Sequence, residues 1–204
     1  IAPTANAGAN QTITLPVNTA NLSGSGNDPD GTIASYLWTK VSGPAGGAIA
    51  NSALVSTSVS GLLQGIYRYE LMVTDNGGAV GRDTMQITVN PAPNVAPTAN
   101  AGVDINITLP VNTVNFNGTG NDPDGTITTY NWTKISGPIG GGGNITNSNA
   151  ASTSVTAFIQ GVYKFELTVT DNSGATARDT IQVAVFAPNM IPTANAGLNQ
   201  SITL

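Results

Sequence analysis

Apolar and polar residues alternate in short runs along the chain, each run closed by glycine, proline, asparagine or aspartate. Gln11-Thr12-Ile13-Thr14-Leu15 has the period of two of a strand and stops at Pro16. Ala20 to Gly24 reads as a second strand and runs into Gly26-Asn27-Asp28-Pro29-Asp30-Gly31, a cluster of turn formers. Ile33 to Trp38 is the central strand of the pattern, with Tyr36 and Trp38 on one face, and Ser42-Gly43-Pro44 closes it. A weak strand is expected around Ile49 and another at Ser56 to Val59. Gly65 opens the clearest alternation, Tyr67 to Asp75; Asn76-Gly77-Gly78 is a hairpin turn, and Arg82 to Val89 pairs back. The pattern predicts about seven strands and no helix.

The same pattern is then written again. Pro3-Thr4-Ala5-Asn6-Ala7-Gly8 returns 94 residues later from Pro97 and 95 residues after that from Pro192. A period of this length is too long for a solenoid repeat and fits whole domains on one chain. The expected division is a first repeat over 1–90, a proline-rich linker over 91–97, a second repeat over 98–186, and a linker with the first strand of a third copy over 187–204. The third copy stops at Leu204, so the chain is expected to be a window on a longer array. Trp132, Tyr163, Asp171 and Arg178 match Trp38, Tyr67, Asp75 and Arg82, and two extra residues fall in Gly140 to Gly143. Glycine-rich length changes of this kind mark exposed loops.

Composition narrows the function. Charged residues make up 8% of the chain, and six basic residues against a net charge of −5 give no basic stripe for nucleic acid. No apolar run approaches the roughly 20 residues of a membrane span. The sequence has no histidine and no cysteine, so Ser–His and Cys–His catalysis is excluded and the nitrogen and sulfur ligands of zinc are missing. The expectation is a non-catalytic protein.

Asp-Pro-Asp-Gly-Thr-Ile, Tyr-x-Trp and Tyr-x-x-x-Leu-x-Val-Thr-Asp-Asn-x-Gly stand in that order in both repeats. Together they resemble the PKD (polycystic kidney disease) domain family. The resemblance implies all-β, tandem immunoglobulin-like β-sandwiches of about seven strands, although the disulfide that underlies the tryptophan of true immunoglobulin domains is missing. It also implies a place as tandem spacers in large bacterial, Bacteroidota-type, surface proteins or secreted hydrolases.

In immunoglobulin order, Asn6, Asp28, Asp30 and Asp75 come to one end of the first sandwich, and Asn100, Asp122, Asp124 and Asp171 to the same end of the second. Oxygen-only clusters suit Ca2+, and some domains of the family bind calcium near this end by resemblance. The competing reading makes these residues turn formers, with Asp30 bonding its own turn and Asp75 capping the Asn76-Gly77 hairpin or pairing with Arg82. Tyr36, Trp38, Tyr67 and Tyr69 are expected in the core rather than on a sugar-stacking platform. Lys40 and Lys134 share the parity of the tryptophans; their stems are expected to cover the core rim with the ammonium in water, an isopeptide cross-link being the rarer alternative. Asp83-Thr84-Met85 and Asp179-Thr180-Ile181 resemble a bacterial O-glycosylation sequence, with Thr84 and Thr180 facing solvent as acceptors.

Asn90 to Pro97 and Ala187 to Pro192 are rich in proline and favour extended, semi-rigid joints. The sequence therefore predicts a stiff spacer or stalk in an extracellular, adhesin-like protein. Its expected partners are neighbouring repeats, further copies in a filament, and a surface glycan or polymer bound by a distal domain. The alternative is an accessory module that orients or binds polymer for a secreted polysaccharide- or protein-degrading enzyme.

Overall fold

The computed structural model describes residues 1–195 and 197–202. The chain divides into two compact units, Ile1–Pro93 and Asn94–Leu204. The first unit contains β1 (Thr4–Asn6), β2 (Gln11–Thr14), β3 (Ala20–Ser23), β4 (Ser25–Asn27), β5 (Ile33–Ser42), β6 (Ala48–Ile49), β7 (Ser56–Ser60), β8 (Gly65–Asp75) and β9 (Val80–Asn90). The second repeats them as β10 (Thr98–Asn100), β11 (Ile105–Thr108), β12 (Val114–Asn117), β13 (Thr119–Asn121), β14 (Ile127–Ser136), β15 (Asn144–Ile145), β16 (Ser152–Thr156), β17 (Gly161–Asp171) and β18 (Thr176–Phe186).

Each unit is a sandwich of a four-stranded sheet (β2-β9-β8-β5, or β11-β18-β17-β14) and a three-stranded sheet (β3-β7-β6, or β12-β16-β15). β2 runs parallel to β9, and β8 forms antiparallel pairs with β9 and β5. The alternation along β8 turns Tyr67, Tyr69, Leu71 and Val73 inward, where they are fully buried with Trp38, Leu22 and Val59 from both sheets. Tyr163, Phe165, Leu167 and Val169 of β17 take the same places, with Phe116 edge-on to Phe165 at 5.0 Å. Burial pushes the Tyr69 hydroxyl up to about 12, and it donates to the Gly47 carbonyl at 2.8 Å.

Nine strands form in each unit rather than about seven, because two short segments outside the expected strands, β1 with β4 and β10 with β13, pair as an additional two-stranded ladder. Gly24 divides β3 from β4, with the Trp38 ring and Leu71 packed where a side chain would stand. A Cβ at the equivalent Gly118 would lie 2.5 Å from Leu167 and 2.8 Å from Trp132. The second change of sheet separates β1 from β2 and accounts for the repeated Ala-Asn-Ala-Gly. Asn6 Oδ1 accepts the Gly8 N–H at 2.8 Å, Asp83 accepts the Ala7 N–H at 2.8 Å, and Gly8 has a φ of 86°. Asn100, Asp179 and Gly102 repeat this in the second unit.

The third copy repeats the local turn, Asn195 Oδ1 accepting the Gly197 N–H at 2.8 Å. Among the described residues of 187–204 there is no strand, contrary to the expectation from the sequence. β1 needs a β4 and β2 needs a β9 to complete their ladders, and both partners follow them by tens of residues within a repeat.

Candidate functional site

The leading end of each unit is where acidic residues collect, and its geometry is set by two loops. The hairpin after β8 is closed by Asp75, whose Oδ1 accepts the N–H groups of Gly77 and Ala79 at 2.8 and 2.9 Å. Asp171 does the same for Ser173 and Ala175, both at 2.8 Å. These are the buried carboxylates of the two units, 6% and 2% exposed, and the amides explain how they are tolerated. The loop before β5 lies against the hairpin, Asn76 receiving the Thr32 N–H on its side chain and Asn172 that of Thr126. Asp28 and Asp122 accept weakly from the N–H of Asp30 and Asp124, both at 3.4 Å.

The structure thus places Asp28, Asp30 and Asp75 around one end of the first unit, and Asp122, Asp124 and Asp171 around the same end of the second. Asn6 and Asn100 do not join them. Asn6 pairs with Ser25, two residues along the ladder from the Thr4–Asn27 pair that leads into the acidic loop, and its oxygen is committed to Gly8. Asn100 is held in the same way beside Thr119 and Gly102. Among the described residues no three acidic side chains stand close enough together to hold a metal ion. One oxygen stands apart: Asp122 Oδ2 is buried and has no hydrogen-bond partner.

A residue that looked like linker belongs to this end. Asn94 donates its side-chain amide to Asp171 Oδ2 at 2.8 Å, and the Val95 N–H reaches both carboxylate oxygens of Asp124 at 3.1 and 3.2 Å. In the first unit Ile1, which occupies the repeat position of Val95, places its main-chain nitrogen 2.8 Å from Asp30 Oδ2. The Asn94 amide is the main influence holding the Asp171 carboxyl below the ordinary carboxylate value; burial opposes it, and the N–H groups of Ala175, Ser173 and Gly174 assist. Asn94 was detectable in the sequence as the asparagine three residues before the repeated proline, a position filled by Asn189 before Pro192.

The other candidate residues are also accounted for. Thr84 and Thr180 face solvent, while the neighbouring Asp83 and Asp179 are occupied in the change of sheet. The lysine ammonium groups, that of Lys134 on an exposed residue, also bond the loop that follows their strand. Lys40 donates to the Pro44 and Gly46 carbonyls over the Tyr67 ring, and Lys134 to the Gly142 carbonyl over Tyr163. The loop carbonyls of this sharply turned segment share the cation with solvent. Arg82 and Arg178 pair with Glu70 and Glu166 across the β8–β9 and β17–β18 ladders, leaving Asp75 to its hairpin.

Two sandwiches with separate cores, each closed at its leading end by carboxylate-held loops, define a tandem immunoglobulin-like β-domain protein. The chain belongs to the K319L-like PKD domain family, whose model matches residues 7–89 and 101–185. It is 36% identical over 99% of its length to the Dyslexia-associated protein KIAA0319 homolog of Mus musculus, and 34% identical over 99% to the KIAA0319-like protein of that organism. The chain spans 19% of the length of each of these relatives. These relatives are animal proteins, whereas the resemblance implied a bacterial source. The solution structure of the PKD domain (329–428) from human KIAA0319 is 25% identical, with a TM-score of 0.42, over 50% of this chain and 94% of that domain.

Proposed function

We propose that this chain is a non-catalytic spacer segment of an extracellular, surface-attached or secreted protein, in which successive PKD domains hold other parts of the molecule apart. The observation that carries this reading is the repetition of complete units. Each has its own buried core, and the residues leading into the second unit are fastened to it by Asp124 and Asp171. Chemistry by histidine or cysteine is excluded by a sequence that contains neither. Between Asn90, the last residue of β9, and the fastened Asn94 lie only Pro91, Ala92 and Pro93, and the two prolines restrict the backbone there.

The reading is tested with one spin label in each unit of the whole chain. Pulsed dipolar spectroscopy is expected to give one narrow distance distribution, broadened when 91–93 is replaced by Gly-Ser-Gly. A broad distribution in the unaltered chain contradicts a stiff spacer. Binding to an insoluble polysaccharide or to protein fibres, with a broad distribution, favours the accessory-module reading.

Calcium at the leading end is part of the same proposal, and the unpartnered Asp122 Oδ2 supports it. Asp122 and Asp124 would be its ligands, with Asn100 excluded by its own turn. Because the hairpin amides and Asn94 already engage Asp171, the expected affinity is that of weak extracellular sites, on the order of 0.1–1 mM. Millimolar calcium is expected to raise the melting temperature of the second unit relative to excess chelator, and Asp122→Asn to remove the shift. Identical melting in both media overturns the metal and leaves the spacer reading intact.

A further inference from the structure

We infer that the acidic end of each unit is a docking site for the chain segment that leads into it, an asparagine followed by one residue whose main-chain N–H is read. The inference deepens the spacer reading, since it sets where the free joint between units begins. Asp171 spends Oδ1 on its hairpin and has Oδ2 left over at 2% exposure. A buried carboxylate oxygen without a donor is costly, and Asn94 is the donor that reaches it, at 2.8 Å. One residue later the Val95 N–H bridges both oxygens of Asp124, a second carboxylate from a different loop.

The first unit has the counterpart of the second of these contacts. Ile1 takes the Val95 position and its nitrogen bonds Asp30, the counterpart of Asp124. The side chains at this position are not what is read: Ile1 is 81% exposed and Val95 50%. What the two share is a nitrogen that donates to the aspartate just before Gly31 or Gly125. The sequence offers the segment once more as Asn189-Met190, in the same phase before Pro192. The second unit therefore begins three residues before its repeated proline, and the joint ahead of it is confined to residues 91–93.

The test is amide hydrogen exchange on the whole chain, with Asp124→Ala and Asn94→Ala variants, in excess chelator so that no metal contributes. The Val95 amide is expected to exchange at least tenfold more slowly than in an unstructured peptide. That protection is expected to be lost in Asp124→Ala, while Ser173 and Ala175 keep theirs and report an intact fold. Asn94→Ala is expected to raise the carboxyl titration midpoint of Asp171, read by carbon-detected NMR. A Val95 amide exchanging at the peptide rate in the unaltered chain overturns the inference, as does an Asp171 midpoint indifferent to Asn94. Neither result depends on the inter-unit distance distribution, so failure here and failure of the spacer reading are distinguishable.

Discussion

Asp171 shows how much one carboxylate can do in a domain with few charges. Its two oxygens close a hairpin and receive the Asn94 amide, and that amide is the main reason its carboxyl sits below the ordinary value. A depressed folded-state value means stability that is fully present above the unfolded value, about 3.9, and lost as pH falls through the folded one. The melting temperature of the second unit is therefore expected to fall on acidification below about pH 4, with a shallower fall in Asn94→Ala; a pH series of melts checks both. Asp75 and Asp171 were readable in the sequence as hairpin caps because an acidic residue directly precedes Asn-Gly or Asn-Ser-Gly. The partner of Asn94 was not, although its place three residues before the repeated proline recurs at Asn189: prolines on both sides gave it the look of a linker, and Asp171 lies 77 residues away. Asn6 and Asn100 misled for the converse reason: their positions near the acidic loops suggested ligands, but a local turn takes the oxygen first.

Among the elements, β8 with β9 and β17 with β18 were the most legible, since eleven-residue strands with strict alternation and a hairpin turn leave little choice of register. β1 and β4 were not legible. Thr4-Ala5-Asn6 and Ser25-Gly26-Asn27 carry no apolar alternation and are strands because each supplies the other's ladder. The loop between β14 and β15 gives an element-scale prediction. Gly142 and Gly143 occupy the places of Gly46 and Gly47, packed close to Tyr163 and the Ala157 carbonyl, whereas a Cβ at Gly141 would meet nothing within 4 Å and one at Gly140 only Ile159 at 3.8 Å; the Gly141 carbonyl accepts the Tyr163 hydroxyl at 3.3 Å. Deleting Gly140 and Gly141 restores the first unit's loop length, and Ile139 then offers its carbonyl to Tyr163 as Ala45 does to Tyr67. The change in stability is expected to stay within about 0.5 kcal/mol by denaturant unfolding.

At the scale of the molecule, two cores that share no residue predict two independent transitions. Trp38 is 1% exposed and packs among Leu71, Leu22 and Val59; truncating it removes contacts in the first core alone. Trp38→Ala is expected to cost its unit about 3–5 kcal/mol and to leave the second transition, followed by Trp132 fluorescence, where it was. Merging or joint movement of the two transitions in calorimetry contradicts the separation. The repeat was visible in the sequence at once, because a six-residue segment recurs without change. The strand count was not, because changes of sheet at Gly24 and Gly8 are made by backbone geometry and side-chain oxygens rather than by hydrophobic pattern.

The most direct test of the chain as an array of mechanically separate spacer domains is to pull it between its ends in a single-molecule force experiment. The account predicts two unfolding events, each releasing on the order of 30 nm of chain for a unit of this length. A single event releasing both lengths together, or extension without a force peak, would contradict it.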